Sequence, residues 1–234
     1  MTVEICGDSI ESYKLAKQFG AKRIELCSAL SVGGLTPSMG LIEECSKIDG
    51  VEIHAMIRHI EGGFVYTEED IATMIKDISH VSISGGHGVV FGCLTPNNEI
   101  DIEKNKNLIS HAKNLGLEVT FHRAFDFCKN PDTALNLLIE MGFDRLLTSG
   151  QEPTAIEGKA VIKHLVSQSN KKIEIMVGSG VNASNAKELS SLGIDALHFT
   201  SHKVNSEKEK LGMGNKTIPD PEKIGSIMAI INQA

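Results

Sequence analysis

No tryptophan occurs in the 234 residues, and aromatic side chains of every kind make up only 4%. That scarcity argues against a stacking platform for sugars or unpaired bases. There is no basic run either: 23 Lys and Arg stand against 30 Asp and Glu, a net charge of -7, which points away from a nucleic-acid binder. No apolar run approaches the roughly 20 residues of a membrane span, and Glu4 interrupts the N-terminus before a signal-peptide core forms, so a cytoplasmic protein without a membrane partner is expected. The five cysteines, Cys6, Cys27, Cys45, Cys93 and Cys128, are odd in number and include no C-x-x-C pair. In a reducing compartment they are expected as free thiols.

What the chain does have is a short β-rich run followed by a helical pattern, repeated eight times. Predicted strands are Val3 to Cys6, Arg23 to Cys27, Glu52 to Arg58, Gly88 to Phe91, Glu118 to His122, Arg145 to Thr148, Glu174 to Val177 and Ala196 to Phe199. Predicted helices open after Ser9, after the GGLTPS turn, near Thr67, Asp101 and Pro131, between about Pro153 and Val166, near Ala183 to Leu192, and from about Pro221 to Ile231. Asp70 only approximates the reciprocal partner of a capping box with Thr67. Eight such units in this length predict a single (β/α)8 TIM barrel, one domain over residues 1–234. The alternative, an open doubly wound sheet, lacks its G-x-G-x-x-G loop after the first strand. The least regular stretch is Ser201 to Asp220, a lid or a solvated loop.

Side chains alternate faces along a strand. One parity is apolar, including Val3, Ile5, Ile24, Leu26, Ile53, Val119, Phe121, Ile175 and Leu197, and is expected to face the helices. The other points inward: Glu4, Cys6, Glu25, Cys27, His54, Arg58, His122, Glu174 and His198. Barrel interiors are ordinarily filled by bulky branched apolar residues, so this set needs a reason. Glu4, His54 and Glu174 lie low on their strands and read as a compensating network, with Arg58 a candidate to neutralise Glu25 or Glu4. Glu25, Arg58 and His122 lie near the C-terminal strand ends, where active sites of this fold sit.

The stretch VTFHRAFDFC adds Arg123 and Asp126 beside His122, either as groups for chemistry or as an ordinary ion pair at a loop. Small polar turns at Thr148-Ser149-Gly150 and Gly178-Ser179-Gly180 follow strands six and seven. Loops at this end of the fold commonly hold phosphate, although any tight strand-to-helix connection also needs such residues. Cys6 and Cys27 end neighbouring strands, about 4.8 Å apart, and could share a soft metal such as Cu(I), or pack as small hydrophobes.

VEIC at Cys6, IELC at Cys27, GGLTPS at Gly33 to Ser38, IR at Arg58, VTFHRAFD at Val119 to Asp126, LLTSG at Leu146 to Gly150 and GSGV at Gly178 to Val181 together resemble the CutC family of copper-homeostasis TIM-barrel proteins. The resemblance implies copper binding, with Cys6 and Cys27 matching the family's proposed ligands, and a homo-oligomer, dimer or tetramer. The loop after strand three departs from the family's IRPRGGDFxY: His59, Ile60 and Gly63 replace its proline, second arginine and aspartate, while Arg58, Phe64 and Tyr66 are kept.

Two functions therefore stand side by side. One is a copper-homeostasis protein holding Cu(I) on Cys6 and Cys27. The other is an isomerase, lyase or hydrolase acting on a small anionic metabolite. There His122 would be acid or base with Glu25 its partner, Arg58 and Arg123 anion clamps, Asp126 the orienter of His122 or Arg123, and Ser149, Gly150, Gly178, Ser179 and Gly180 the anion cradle.

Overall fold

The first five returns from strand to helix each begin with a polar side chain that satisfies an orphaned helical N–H. Ser9 accepts from the Ser12 amide before α1 (Ile10–Gln18), and Ser38 from the Leu41 amide before α2 (Met39–Ser46). Thr67 and Asp70 form a full reciprocal capping box at α3 (Glu68–Ile83), stronger than the sequence pattern indicates, because an aspartate at the third position reaches the Thr67 amide at 2.7 Å. Asp101 caps α4 (Ile102–Asn114), and Asn130 caps α5 (Pro131–Met141), whose first residue is the proline.

The computed structural model describes residues 1–204 and 217–232. Its strands are β1 (Thr2–Gly7), β2 (Arg23–Leu26), β3 (Glu52–Met56), β4 (Gly88–Phe91), β5 (Glu118–Phe121), β6 (Arg145–Thr148), β7 (Glu174–Val177) and β8 (Ala196–Thr200). They pair in parallel, in chain order, and close. With α6 (Lys159–Ser169), α7 (Ala186–Ser190) and α8 (Pro221–Asn232) outside, this is a single (β/α)8 barrel. A short antiparallel pair, β9 (His202–Val204) and β10 (Thr217–Pro219), follows β8. Residues 205–216 of the predicted lid or loop lie outside the described residues.

Two helices start later than their periodicity suggests. Residues 153–158 form turns ahead of α6. Gly158 there lies against the backbone of Gly150, where an added Cβ would stand 2.3 Å from the Gly158 carbonyl oxygen. Before α7, Asn182 accepts from the Ser184 amide and hydroxyl, and Asn182 and Asn185 both donate to the Gly180 carbonyl, holding residues 182–185 in turns.

The apolar parity packs outward beneath the helices: Val3, Ile5, Ile24, Leu26, Ile53, Phe121 and Leu197 belong to one large buried cluster. Inside the barrel a ladder of alternating charge links five strands. Arg23 pairs with Glu4 at 3.1 Å and Glu174 at 2.6 Å, and Arg145 pairs with Glu174 at 3.0 Å and Glu118 at 2.9 Å. The neutralising cation is thus Arg23 and not Arg58, which makes no ion pair with Glu4 or Glu25. Arg23 stands directly opposite Glu4 in register, whereas Arg58 lies beyond the end of β3. Burial pushes the Glu4 carboxyl up, but His198, His54 and Arg23 together hold it well below the usual carboxylate range.

Candidate functional site

At the C-terminal mouth, β1 and β2 bring Cys6 opposite Glu25 in register, and Cys27 follows directly, its amide donating to the Gly7 carbonyl at 2.9 Å. The two sulfurs lie 3.9 Å apart, and Cys27 Sγ lies 3.5 Å from Glu25 Oε2. From the neighbouring β8, His198 places Nδ1 2.9 Å from Glu4 Oε1 and Nε2 3.8 Å from Glu25 Oε2. All five side chains are shielded from solvent, and each conditions the others.

The hydrogen bond from Cys27 is the largest influence on Cys6; with His198 it outweighs burial and lowers the Cys6 thiol to about 5. Cys27, as the donor, is pushed well above the ordinary thiol range. Burial raises the Glu25 pKa strongly, and the Cys6 thiolate raises it further, so both favour its protonated form. Burial opposes a charge on His198, yet Cys6, Glu25 and Glu4 hold its pKa well above that of an ordinary imidazole. At neutral pH the pair is a Cys6 thiolate beside a Cys27 thiol, in surroundings that favour the acid form of Glu25 and the imidazolium of His198.

Across the mouth, Arg58 and His122 stand just past β3 and β5. Arg58 is tied to backbone carbonyls of the loops around it: Val32 at 2.8 Å, Gly34 at 3.1 Å and Gly62 at 2.7 Å. His122 Nδ1 accepts from the Ala124 amide at 3.2 Å. Burial, then the charge of Arg58, lower His122 to about 3, so its ring is neutral. No hydrogen bond or ion pair links His122 to Glu25 among the described residues; the partners of Glu25 are Cys27 and His198. Phe64 lies between the two, 5.4 Å from the Arg58 guanidinium carbon and 4.9 Å from the His122 ring.

The remaining candidates divide. Asp126 orients Arg123, at 2.7 Å, and not His122; it also accepts from the Thr148 hydroxyl and from the amides of Ser149 and Gln151. The Ser149 amide is therefore engaged by Asp126, the Gly150 amide by the Thr148 hydroxyl, and the Gly178 amide by the Thr148 carbonyl. Those three cannot cradle an anion without giving up a bond, whereas Ser179 and Gly180 line the cavity at the mouth. That cavity, of about 640 Å³, brings together Cys6, Glu25, Arg58, His122, Arg123 and His198. Sequence reasoning left His198 out of its favoured residues, and Lys223, on α8 and also on the wall, carried no signal.

The CutC family model matches residues 1–203. The chain belongs to the CutC family. Among the relatives of this CutC member, a family protein CutC from Glaesserella parasuis is 46% identical over 202 residues, covering 86% of this chain and 82% of its own, and one from Vibrio parahaemolyticus is 48% identical over 199 residues, covering 85% and 81%. A crystal structure of a CutC from Streptococcus agalactiae, whose name links it with copper homeostasis, superposes with a TM-score of 0.80 at 33% identity, covering 85% of this chain and 98% of its own. Of the loop departures, His59 has found a local role, 2.9 Å from Asp70 on α3, and Ile60 is half exposed.

Proposed function

We propose that this chain serves copper homeostasis by binding Cu(I) as its cargo, with Cys6 and Cys27 as the ligands. The observation that carries the reading is the pair of buried sulfurs 3.9 Å apart, which with a Glu25 oxygen form a set of possible ligand atoms all within 4.8 Å of one another. Thiolates are soft donors suited to Cu(I), while a carboxylate is hard, so the two sulfurs are the bonding pair and Glu25 supports them from beside. The copper-homeostasis name of the Streptococcus agalactiae neighbour agrees with this reading. No helix among the described residues is long and apolar enough to cross a membrane.

The ligands differ in their proton inventory. Cys6 is already a thiolate, whereas Cys27 must lose its proton to bind, so loading at neutral pH releases about one proton per ion. The test is a titration of reduced protein with Cu(I) against a competing chelator, with proton release followed in weak buffer. Tight one-to-one binding with that release, lost in Cys6→Ala/Cys27→Ala, is the expected result. Weak affinity, equal in the wild type and the double variant, would sink the reading.

A further inference from the structure

The cavity above the thiols is far larger than an ion needs, and its volume of about 640 Å³ falls in the range of small-molecule pockets. Its wall holds an unusual pair. Arg58, 5% exposed, spends its hydrogen bonds on neutral carbonyls, has no carboxylate within ion-pair distance among the described residues, and leaves Nε without a partner. A buried guanidinium without a counter-ion costs several kcal/mol as an order of magnitude, so the arrangement is incomplete as it stands.

His122 supplies the second half. Its Nδ1 accepts the Ala124 amide, so the neutral ring carries its proton on Nε2. That nitrogen, in a side chain only 4% exposed, also has no partner. An unbalanced cation and an unused N–H donor thus flank Phe64 on one wall. Beside them the rim is apolar: Phe127 lies 5.5 Å from Phe64, ring to ring, and is 59% exposed. Its exposed ring gives the mouth an apolar face beside the charged wall.

We propose that this cavity binds a small organic anion, a carboxylate or phosphate monoester, with its charged group on Arg58 and His122 and its apolar body against Phe64 and Phe127. This goes beyond copper: Arg58 makes no hydrogen bond to Cys6 or Cys27 among the described residues, and the anion needs no metal. Charge-assisted bonds to a guanidinium are the strong kind, and a desolvated wall makes them stronger.

The test uses four probes, phenyl phosphate, benzoate, inorganic phosphate and the neutral benzyl alcohol, in thermal-shift and calorimetric titrations. Phenyl phosphate or benzoate is expected to stabilise and bind the wild type, inorganic phosphate more weakly, and benzyl alcohol not at all. The stronger of the two identifies the anion type. Arg58→Met should weaken binding at least about ten-fold while leaving Cu(I) affinity unchanged, which separates this inference from the copper reading. Because Arg58 also braces loops, Phe127→Ser, an exposed change, provides a second test: it should weaken phenyl phosphate or benzoate and leave inorganic phosphate as it was. Absence of any anion binding, equal binding of benzyl alcohol, or unchanged affinity in a folded Arg58→Met protein would overturn the inference.

Discussion

Glu4 Oε1 and His198 Nδ1 lie 2.9 Å apart, across the seam where the last strand closes on the first. The bond engages one ring nitrogen from below and turns the other towards Glu25, 3.8 Å away at the mouth. Glu4 is itself fixed by Arg23, so the charge ladder inside the barrel ends in the imidazole beside the thiols. Scaffold and candidate site are one electrostatic column.

The acidity of Cys6 should therefore answer to its neighbours in a set order. The rate of alkylation by iodoacetamide, followed at Cys6 against pH, is expected to have its midpoint at about 5 in the wild type. Cys27→Ala removes the largest influence and should raise the midpoint most; His198→Asn should raise it less. A wild-type midpoint near that of a free thiol, about 8.5, would refute the thiolate assignment.

The ladder makes a stability prediction. Arg23 is the cation shared by Glu4, fully buried, and Glu174. Arg23→Met leaves the Glu4 carboxylate with reduced compensation in a low-dielectric interior, a change expected to cost about 3–5 kcal/mol. Urea denaturation should show the loss, and Arg23→Met/Glu4→Met should recover part of it, because the charge left behind is then gone. An unchanged midpoint in the single variant would contradict the ladder's role.

Much of this was readable from residue order. Alternation of apolar and polar residues located all eight strands, and the inward parity already contained Glu4, Cys6, Glu25 and His198. Partner choice was not readable. Arg23 shares the parity of Glu25, so the same rule could have named it in place of Arg58, but which carboxylates it meets depends on closure between β8 and β1 and on the span across to β7. The Ser149-Gly150 turn misled because a Gly-Ser loop looks alike whether its amides await a ligand or already serve Asp126; only the tertiary approach of the segment after β5 decides. Lys223 reaches the mouth from a helix more than 200 residues along from Cys6, and no local pattern marks it.

His122 should leave a signature in acid. An unfolded chain protonates this ring below its ordinary 6.5, whereas burial and Arg58 keep the folded ring neutral down to about 3. The unfolded state alone takes up the proton between those values, so stability falls as the pH drops through that window. For this one group the loss between pH 7 and pH 5 amounts to about 2 kcal/mol. His122→Gln keeps a polar side chain but cannot titrate, and its stability should fall less steeply over that interval, by that amount. Parallel pH profiles for the two proteins would mean that His122 is not held neutral.

Asp126 is the residue for which a structural and a chemical role are most easily confused, and substitution separates them. Its carboxylate gathers Arg123, the Thr148 hydroxyl and the amides of Ser149 and Gln151, so it joins the segment after β5 to the turn after β6. Asp126→Ala strands two amides and a hydroxyl, and unmet donors in a half-buried turn make a loss of about 3 kcal/mol reasonable. Asp126→Asn keeps one acceptor oxygen and should cost less. Neither change touches Cys6, Cys27, Glu25 or His198, so the Cys6 alkylation profile should stay where it is in both variants. If the profile shifts while stability holds, Asp126 acts on the thiol cluster and the division drawn here between brace and site is wrong.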